Sequence, residues 1–361
     1  VSNIYNSYAE FLPLKTVMVG RCHSSESLDH TSLEMSEKTK NLFKQLLQET
    51  EEDFQQFISI CKQFGAEVKR PKYSSKSFKT SDSREALGLG GMRESLFQEY
   101  PYLLIPRNNL ITLDDTVVSI NSDDVIHNDY ISSITNIKNI RNEYTTHDNL
   151  KPSSIIRLGK DIIVDKQEFM NSNTEKGFNY LKEWLEPIGY NIIYTAYHNF
   201  KFADHQSHGD STLAICKPGA LISHVDAKNY TTEIFKSWDG LTISEDSSKN
   251  KLNKWYSLKT KLANFNFFSK KYNDEAFHHT IENWFKEWVG YANETVFDIN
   301  IFSLDESTVV VSNYNKEVFD FFKKHKIEPI ICNFRHRYFW DAGWHCLTSD
   351  LEREGNCEQY L

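Results

Sequence analysis

The feature that most constrains this chain is a layout that returns several times: an apolar run, a tight turn, a second apolar run, then an amphipathic helix and a further strand. The segment "SIIRLGKDIIV" at 154–164 turns at Gly159 and leads into the helix-like "NTEKGFNYLKEWLEPIG" and the strand-like "YNIIYTAY". The segment "STLAICKPGALISHV" turns at Pro218-Gly219 before "YTTEIFKSW" and "LTIS", and "VFDINIFSLDESTVVVS" turns around Asp305-Glu306 before "NKEVFDFFKKH" and "KIEPIICN". A further hairpin is predicted within 102–120, and the opening "LKTVMVG" precedes a helical stretch over about 36–64 and then "AEVKRP". These assignments follow from apolar periods near two in the runs and near 3.6 in the stretches between them. A unit of this size cannot cover its own apolar face, so successive units must pack around a common axis. The expectation is one α/β domain over residues 1–361. The polar stretches 72–91, 137–153 and 244–254 read as surface loops, the kind of segment that flanks binding sites.

Charge narrows the choice of partner. A formal net charge of -9 argues against general binding to nucleic acid or an anionic membrane, which needs a basic face, so small molecules or other proteins are the expected partners. No apolar run approaches the roughly 20 residues that span a bilayer, and "VSNIYNSYAEFLPL" lacks the basic-then-apolar order of a signal peptide. A soluble, cytoplasmic protein is expected. The six cysteines form no CxxC pair and no disulfide framework, which points to free thiols in a reducing compartment. Cys216 and Cys332 lie in apolar strand-like runs and read as buried fillers.

Cys346 differs. It sits in "RHRYFWDAGWHCLTSDLEREG", among aromatic, glycine and polar residues. A deprotonated cysteine is a strong nucleophile, and its activation calls for a base elsewhere in the chain. The base is sought in "ADHQSHGDSTLAI", where His208 and Asp210 stand one residue apart at the mouth of a hairpin. His205 and His208 have a metal-like spacing, but no second Cys/His pair completes a site, so neither metal nor cofactor is expected. Gly343 would allow close backbone approach behind an exposed thiol, with Trp344 walling its pocket.

The segment "GWHCLTSDLEREG" followed by "QYL" resembles the terminal Cys motif of the glycine amidinotransferase family. "HGDSTLAICKPGALIS", "SIIRLGKDIIV", "IPRNNLI" and "YNSYAEFLPLKTVMVGR" resemble other segments of that family, in the same order and over nearly the whole chain. The resemblance implies a five-bladed, pseudo-fivefold α/β propeller of hairpin-helix-strand modules. It also implies a transferase in which Cys346 attacks a guanidinium carbon, His208 is general acid and base, and Asp210 holds the donor. A small-molecule donor and an amine acceptor would be the partners, with a carrier-bound substrate and a homodimer both left open.

Several positions depart from the family pattern. Asn108 and Ser154 stand where carboxylates are normal, and Asn293 and Glu294 where a pair of small hydroxyl residues is normal. With Arg107, Ser207 and Trp344 these are the expected substrate-binding residues. With Ser154 neutral, Asp204 or Asp148 would have to orient His208. Asn108 and Ser154 can hydrogen-bond a neutral carbonyl, so three classes stand: an amidinotransferase with a non-standard donor in specialised metabolite biosynthesis, an acyl or amide transferase or hydrolase, and a binding protein on the same scaffold.

Overall fold

The computed structural model describes residues 5–22, 25, 36–72, 103–119, 124–134, 140–142, 152–167, 172–197, 209–243, 274–290, 298–340 and 342–361. The first module runs from β1 (Leu14–Val19) through α1 (Glu37–Gln63) to β2 (Glu67–Lys69). The second contains β3 (Leu110–Leu113), β4 (Thr116–Ser119), α2 (Asp124–Ile131) and β5 (Ile140–Asn142). The third contains β6 (Ile155–Leu158), β7 (Asp161–Gln167), α3 (Ser172–Leu185) and β8 (Asn191–Tyr197). In the fourth, β9 (Leu213–Lys217) and β10 (Ala220–His224) lead to α4 (Lys228–Ile234) and β11 (Asp239–Ile243). Helix α5 (Asp274–Glu287) precedes the fifth, which holds β12 (Phe302–Asp305), β13 (Thr308–Val311), α6 (Lys316–Lys324) and β14 (Glu328–Ile331). The chain closes with α7 (Arg337–Trp340) and β15 (Thr348–Arg353).

Among the described residues the strands form five three-stranded sheets with one shared plan, an antiparallel hairpin extended by a parallel third strand. In the first sheet the hairpin partner of β1 is β15, with Val19 opposite Thr348 and Leu14 opposite Arg353. The last strand therefore completes the module that the first strand begins, and Cys346 lies two residues before it. Among the described residues five apolar clusters lie between the sheets. Met18, Leu110 and Val117 join the first to the second; Ile111, Val118 and Ile162 the second to the third; Ile163, Leu213 and Leu221 the third to the fourth. Ile222, Val309 and Val311 join the fourth to the fifth, and Val17, Phe302 and Val310 join the fifth back to the first.

Local chemistry explains the elements. Phe43, Leu46, Leu47, Phe54, Phe57, Ile58 and Cys61 recur on one face of α1 at helical spacing and are all buried. Ser36 caps its start, the hydroxyl oxygen accepting the Thr39 backbone N–H at 3.3 Å. The hairpin turns predicted at Gly159 and Gly219 hold φ of 63° and 81°, values that glycine adopts without strain. The hairpin predicted within 102–120 begins only at Leu110, and its turn carries Asp114 at φ 56°.

One region differs from expectation. β5 falls inside 137–153, read above as loop, because its three residues, Ile140, Arg141 and Asn142, carry too little apolar pattern to announce a strand. It pairs parallel to β4 all the same, which shows that sheet position can override a weak local signal. Among the described residues no helix is long and apolar enough to cross a membrane.

Candidate active site

The segments that enter the first strand of each hairpin converge. Short 3-10 turns at Pro106–Asn108, Pro152–Ser154 and Gly209–Ser211 precede β3, β6 and β9, and the second of these touches both of the others. The segment 298–300 before β12 and the turn around Gly343–Leu347 before β15 join them through side-chain contacts. Asn300 is the clasp. Its Oδ1 accepts the Cys346 backbone N–H at 3.1 Å, while its Nδ2 donates to the Asp210 carbonyl at 3.1 Å and to Cys346 Sγ at 3.0 Å. A Cβ on residue 343 would lie 2.6 Å from Asn300 Oδ1, so the close approach expected of Gly343 is made to this side chain.

The Cys346 thiol donates to Asp210 Oδ2 at 3.1 Å, and His345 Nδ1 reaches the same oxygen at 3.0 Å. On its far side His345 Nε2 is 3.1 Å from Glu10 Oε1. Glu10 in turn lies 3.8 Å from Arg107 Nη1 and 3.7 Å from Arg157 Nη2. Behind this row Asp350 accepts hydrogen bonds from Arg107 Nη2 at 2.8 Å, Arg157 Nη2 at 2.6 Å and Arg353 Nε at 2.6 Å. Ser7 Oγ adds a further donor at 3.0 Å. Glu10, Asp210, His345 and Arg353 also line a small cavity with the apolar Ile301 and Phe302.

Electrostatics follow from burial. Burial, then the charge of Asp210 and the hydrogen bond to it, raises the Cys346 thiol well above its ordinary range, and the Asn300 hydrogen bond offsets this only in part. The resting thiol is therefore protonated at neutral pH. Burial also works against an ionised Glu10, but His345, Arg107 and Arg157 outweigh it and lower its carboxyl below the usual value. For His345, burial and Arg107 oppose the positive form, yet Glu10 and Asp210 prevail and raise it. Among the described residues no three His, Cys, Asp or Glu side chains gather as a metal-binding set.

No protein-family profile matches the chain. It is 28% identical over 206 residues to the L-arginine:L-lysine amidinotransferase of Pseudomonas savastanoi pv. phaseolicola, covering 57% of this chain and 44% of that protein. It is 24% identical over 212 residues to the mitochondrial glycine amidinotransferase of Xenopus laevis, covering 58% of this chain and 40% of that one. In structure it is similar to an amidinotransferase of the saxitoxin biosynthetic pathway from Microseira wollei, with a TM-score of 0.65 and 17% identity over 99% of this chain and all (100%) of that one. The chain is thus similar in sequence to amidinotransferases over more than half of its length, and in fold to one over nearly all of it. It spans less than half the length of these curated relatives.

In the structure the expected site residues fall into three groups. Cys346 and Asp210 are brought together, and Asn108 and Ser154 sit on two of the converging turns. Ser154 is buried and Asn108 half-buried, and among the described residues Asn108 Oδ1 is a buried acceptor with no hydrogen-bond partner. His208, Ser207, Asn293 and Glu294 lie outside the described residues, as do Asp204 and Asp148.

The third group is corrected. Arg107 does not reach for substrate, because it is fully buried with Nε on the Thr348 carbonyl at 3.1 Å and Nη2 on Asp350. Trp344 does not wall a pocket. Its ring stacks on Phe57 of α1 at 4.4 Å and its indole N–H donates to the Cys332 carbonyl, so it braces the cysteine turn from behind. Cys346 itself is buried, not exposed as expected.

Glu10, Asn300 and His345 were missed by sequence reasoning. Each left a faint signal, since Glu10 and Asn300 are single polar residues inside the apolar runs "YAEFLPL" and "INIF", and His345 adjoins the nucleophile candidate.

Proposed function

We propose that this protein is a transferase that moves an amidino group from a small-molecule donor to an amine acceptor through a covalent thioether on Cys346. The observation that carries this reading is the 3.1 Å contact of Cys346 Sγ with Asp210 Oδ2, a thiol against a buried carboxylate in a chain similar to amidinotransferases. A guanidinium seated on Asp210 would neutralise the charge that raises the thiol, so binding of the donor favours the thiolate at the reacting carbon. The thiol proton passes to a base, for which the family resemblance assigns His208. Sulfur then bonds to the guanidinium carbon as the carbon–nitrogen bond breaks and the amine leaves with a proton. The acceptor amine attacks the same carbon, the carbon–sulfur bond breaks, and the thiol is restored.

The five sheets are, on this reading, the blades of a pseudo-fivefold α/β propeller. The round of five interfacial clusters supports it. The substrate-binding turns would then sit at one end of the axis, where each blade contributes the residue before its first strand.

Asn108 and Ser154 bear on the donor. Without carboxylates at these positions a desolvated guanidinium loses about 3–5 kcal/mol of pairing, which disfavours arginine and favours a donor with less exposed charge, as in specialised metabolism. The unpartnered Asn108 Oδ1 also suits a substrate N–H. The test is amine release from a panel of guanidino compounds, arginine included, in the presence of glycine and lysine as acceptors. At least one donor should release its amine, with arginine slower by about 10²-fold or more. Acylation from simple thioesters with no amine from any guanidino compound would overturn this reading in favour of acyl transfer.

A further inference from the structure

His345 lies between two carboxylates. Its Nδ1 is 3.0 Å from Asp210 Oδ2 and its Nε2 is 3.1 Å from Glu10 Oε1. A neutral imidazole carries one N–H, so it would set a nitrogen lone pair against one of these oxygens. Protonating Glu10 would remove that conflict, but Arg107 and Arg157 stand 3.8 and 3.7 Å from the same Oε1 and keep it ionised. The arrangement therefore favours an imidazolium, whose Nε2 faces Glu10 as an ion pair and not as an aligned hydrogen bond. Asp210 Oδ2 also accepts the Cys346 thiol, so imidazole and thiol share one oxygen and its charge.

We propose that His345, held charged by Glu10, is a positioning residue that keeps a positive charge beside Asp210 and so sets how readily Cys346 becomes a thiolate. The groups that face it are Asp210 from the turn before β9, Glu10 from the segment before β1, Arg107 from the turn before β3 and Cys346 beside it. Arg157 and Arg353 act on it at one remove, through Glu10. The imidazolium shares the negative charge of Asp210 Oδ2, which otherwise disfavours sulfur as an anion. Glu10 acts through His345 and not on the thiol. The proposal rests on Cys346 being the reacting thiol, and thiol reactivity can be read without knowing which group is transferred.

Two measurements test it. In the native protein, two-bond proton–nitrogen correlation spectra should show one histidine with both ring nitrogens protonated at pH 8, and that signature should be lost in Glu10→Gln. Absence of any such histidine in the native protein would overturn the proposal, whether or not variants fold. In His345→Gln, the pH profile of Cys346 alkylation by iodoacetamide should move upward by about one unit or more, a tenfold slower reaction on the acid side of the profile. An unmoved profile in a folded His345→Gln variant would show the residue to be structural only. Either result can arise with or without amine release from a guanidino donor, so failure here is separate from failure of amidino transfer.

Discussion

Replacing Cys346 with alanine is expected to abolish turnover, lowering the rate at least about 10⁴-fold, while the protein stays folded. On the proposed route the sulfur is the atom that carries the transferred group, and no other described cysteine has its surroundings. Cys61 is buried, its thiol pushed up to about 12 by desolvation, and Cys216 and Cys332 are buried as read from the sequence. Little stability is at stake in the change. Alanine forfeits the thiol contacts to Asp210 and Asn300 but keeps the backbone N–H that Asn300 Oδ1 accepts. The midpoint of chemical denaturation should shift by an amount equivalent to about 1 kcal/mol or less. A Cys346→Ala protein that still transfers would refute the covalent route.

The largest effect on stability is expected from Asp350→Asn. This carboxylate has no exposure and accepts from Arg107, Arg157, Arg353 and Ser7, residues drawn from four separate parts of the chain. Asparagine preserves the shape and removes the charge, leaving three buried guanidinium groups against Glu10. Breaking a buried pair in this way costs about 3–5 kcal/mol, a large part of the roughly 5–15 kcal/mol that holds a domain folded. Denaturant melts compared at equal slope would measure it.

The same residue fixes a pH dependence. Burial would raise its carboxyl, but Arg157, Arg353 and Arg107 prevail and hold it well below the usual carboxylate range. A folded-state value below the unfolded one means that the native state releases this proton more readily. Its stabilisation is therefore complete above the unfolded value near pH 4 and is lost as pH falls below it. Asp350→Asn should flatten the acid side of the stability profile and lower the plateau above it.

Much of the scaffold was legible because periodicity is a strong signal over long segments. The 27 residues of α1 carry enough apolar positions to define a face, and Gly159 and Gly219 mark hairpins that only a left-handed residue turns easily. Short elements were not legible: β5 has three residues, and β15 belongs to a sheet whose other strands are nearly the whole chain away. Such pairing leaves no local trace.

The site divides along the same line. Cys346 and Asp210 could be singled out because thiol and acid chemistry narrows the choice of residue and because motifs resembling those of amidinotransferases surround them, and the structure puts the two side chains in contact. Arg107 and Trp344 were assigned to substrate on residue type alone, and burial against Asp350 and Phe57 decided otherwise. Glu10 and Asn300 act through contacts that span 335 and 46 residues, to His345 and Cys346, distances over which sequence pattern says nothing.

The central claim is the covalent step on Cys346, and intact-protein mass after incubation with a guanidino donor, followed by peptide mapping, tests it most directly. The account predicts an amidino-sized adduct on the peptide containing Cys346, absent from Cys346→Ala and discharged by an acceptor amine. Donor turnover by a protein that never carries the adduct, or an adduct on another residue, would contradict it.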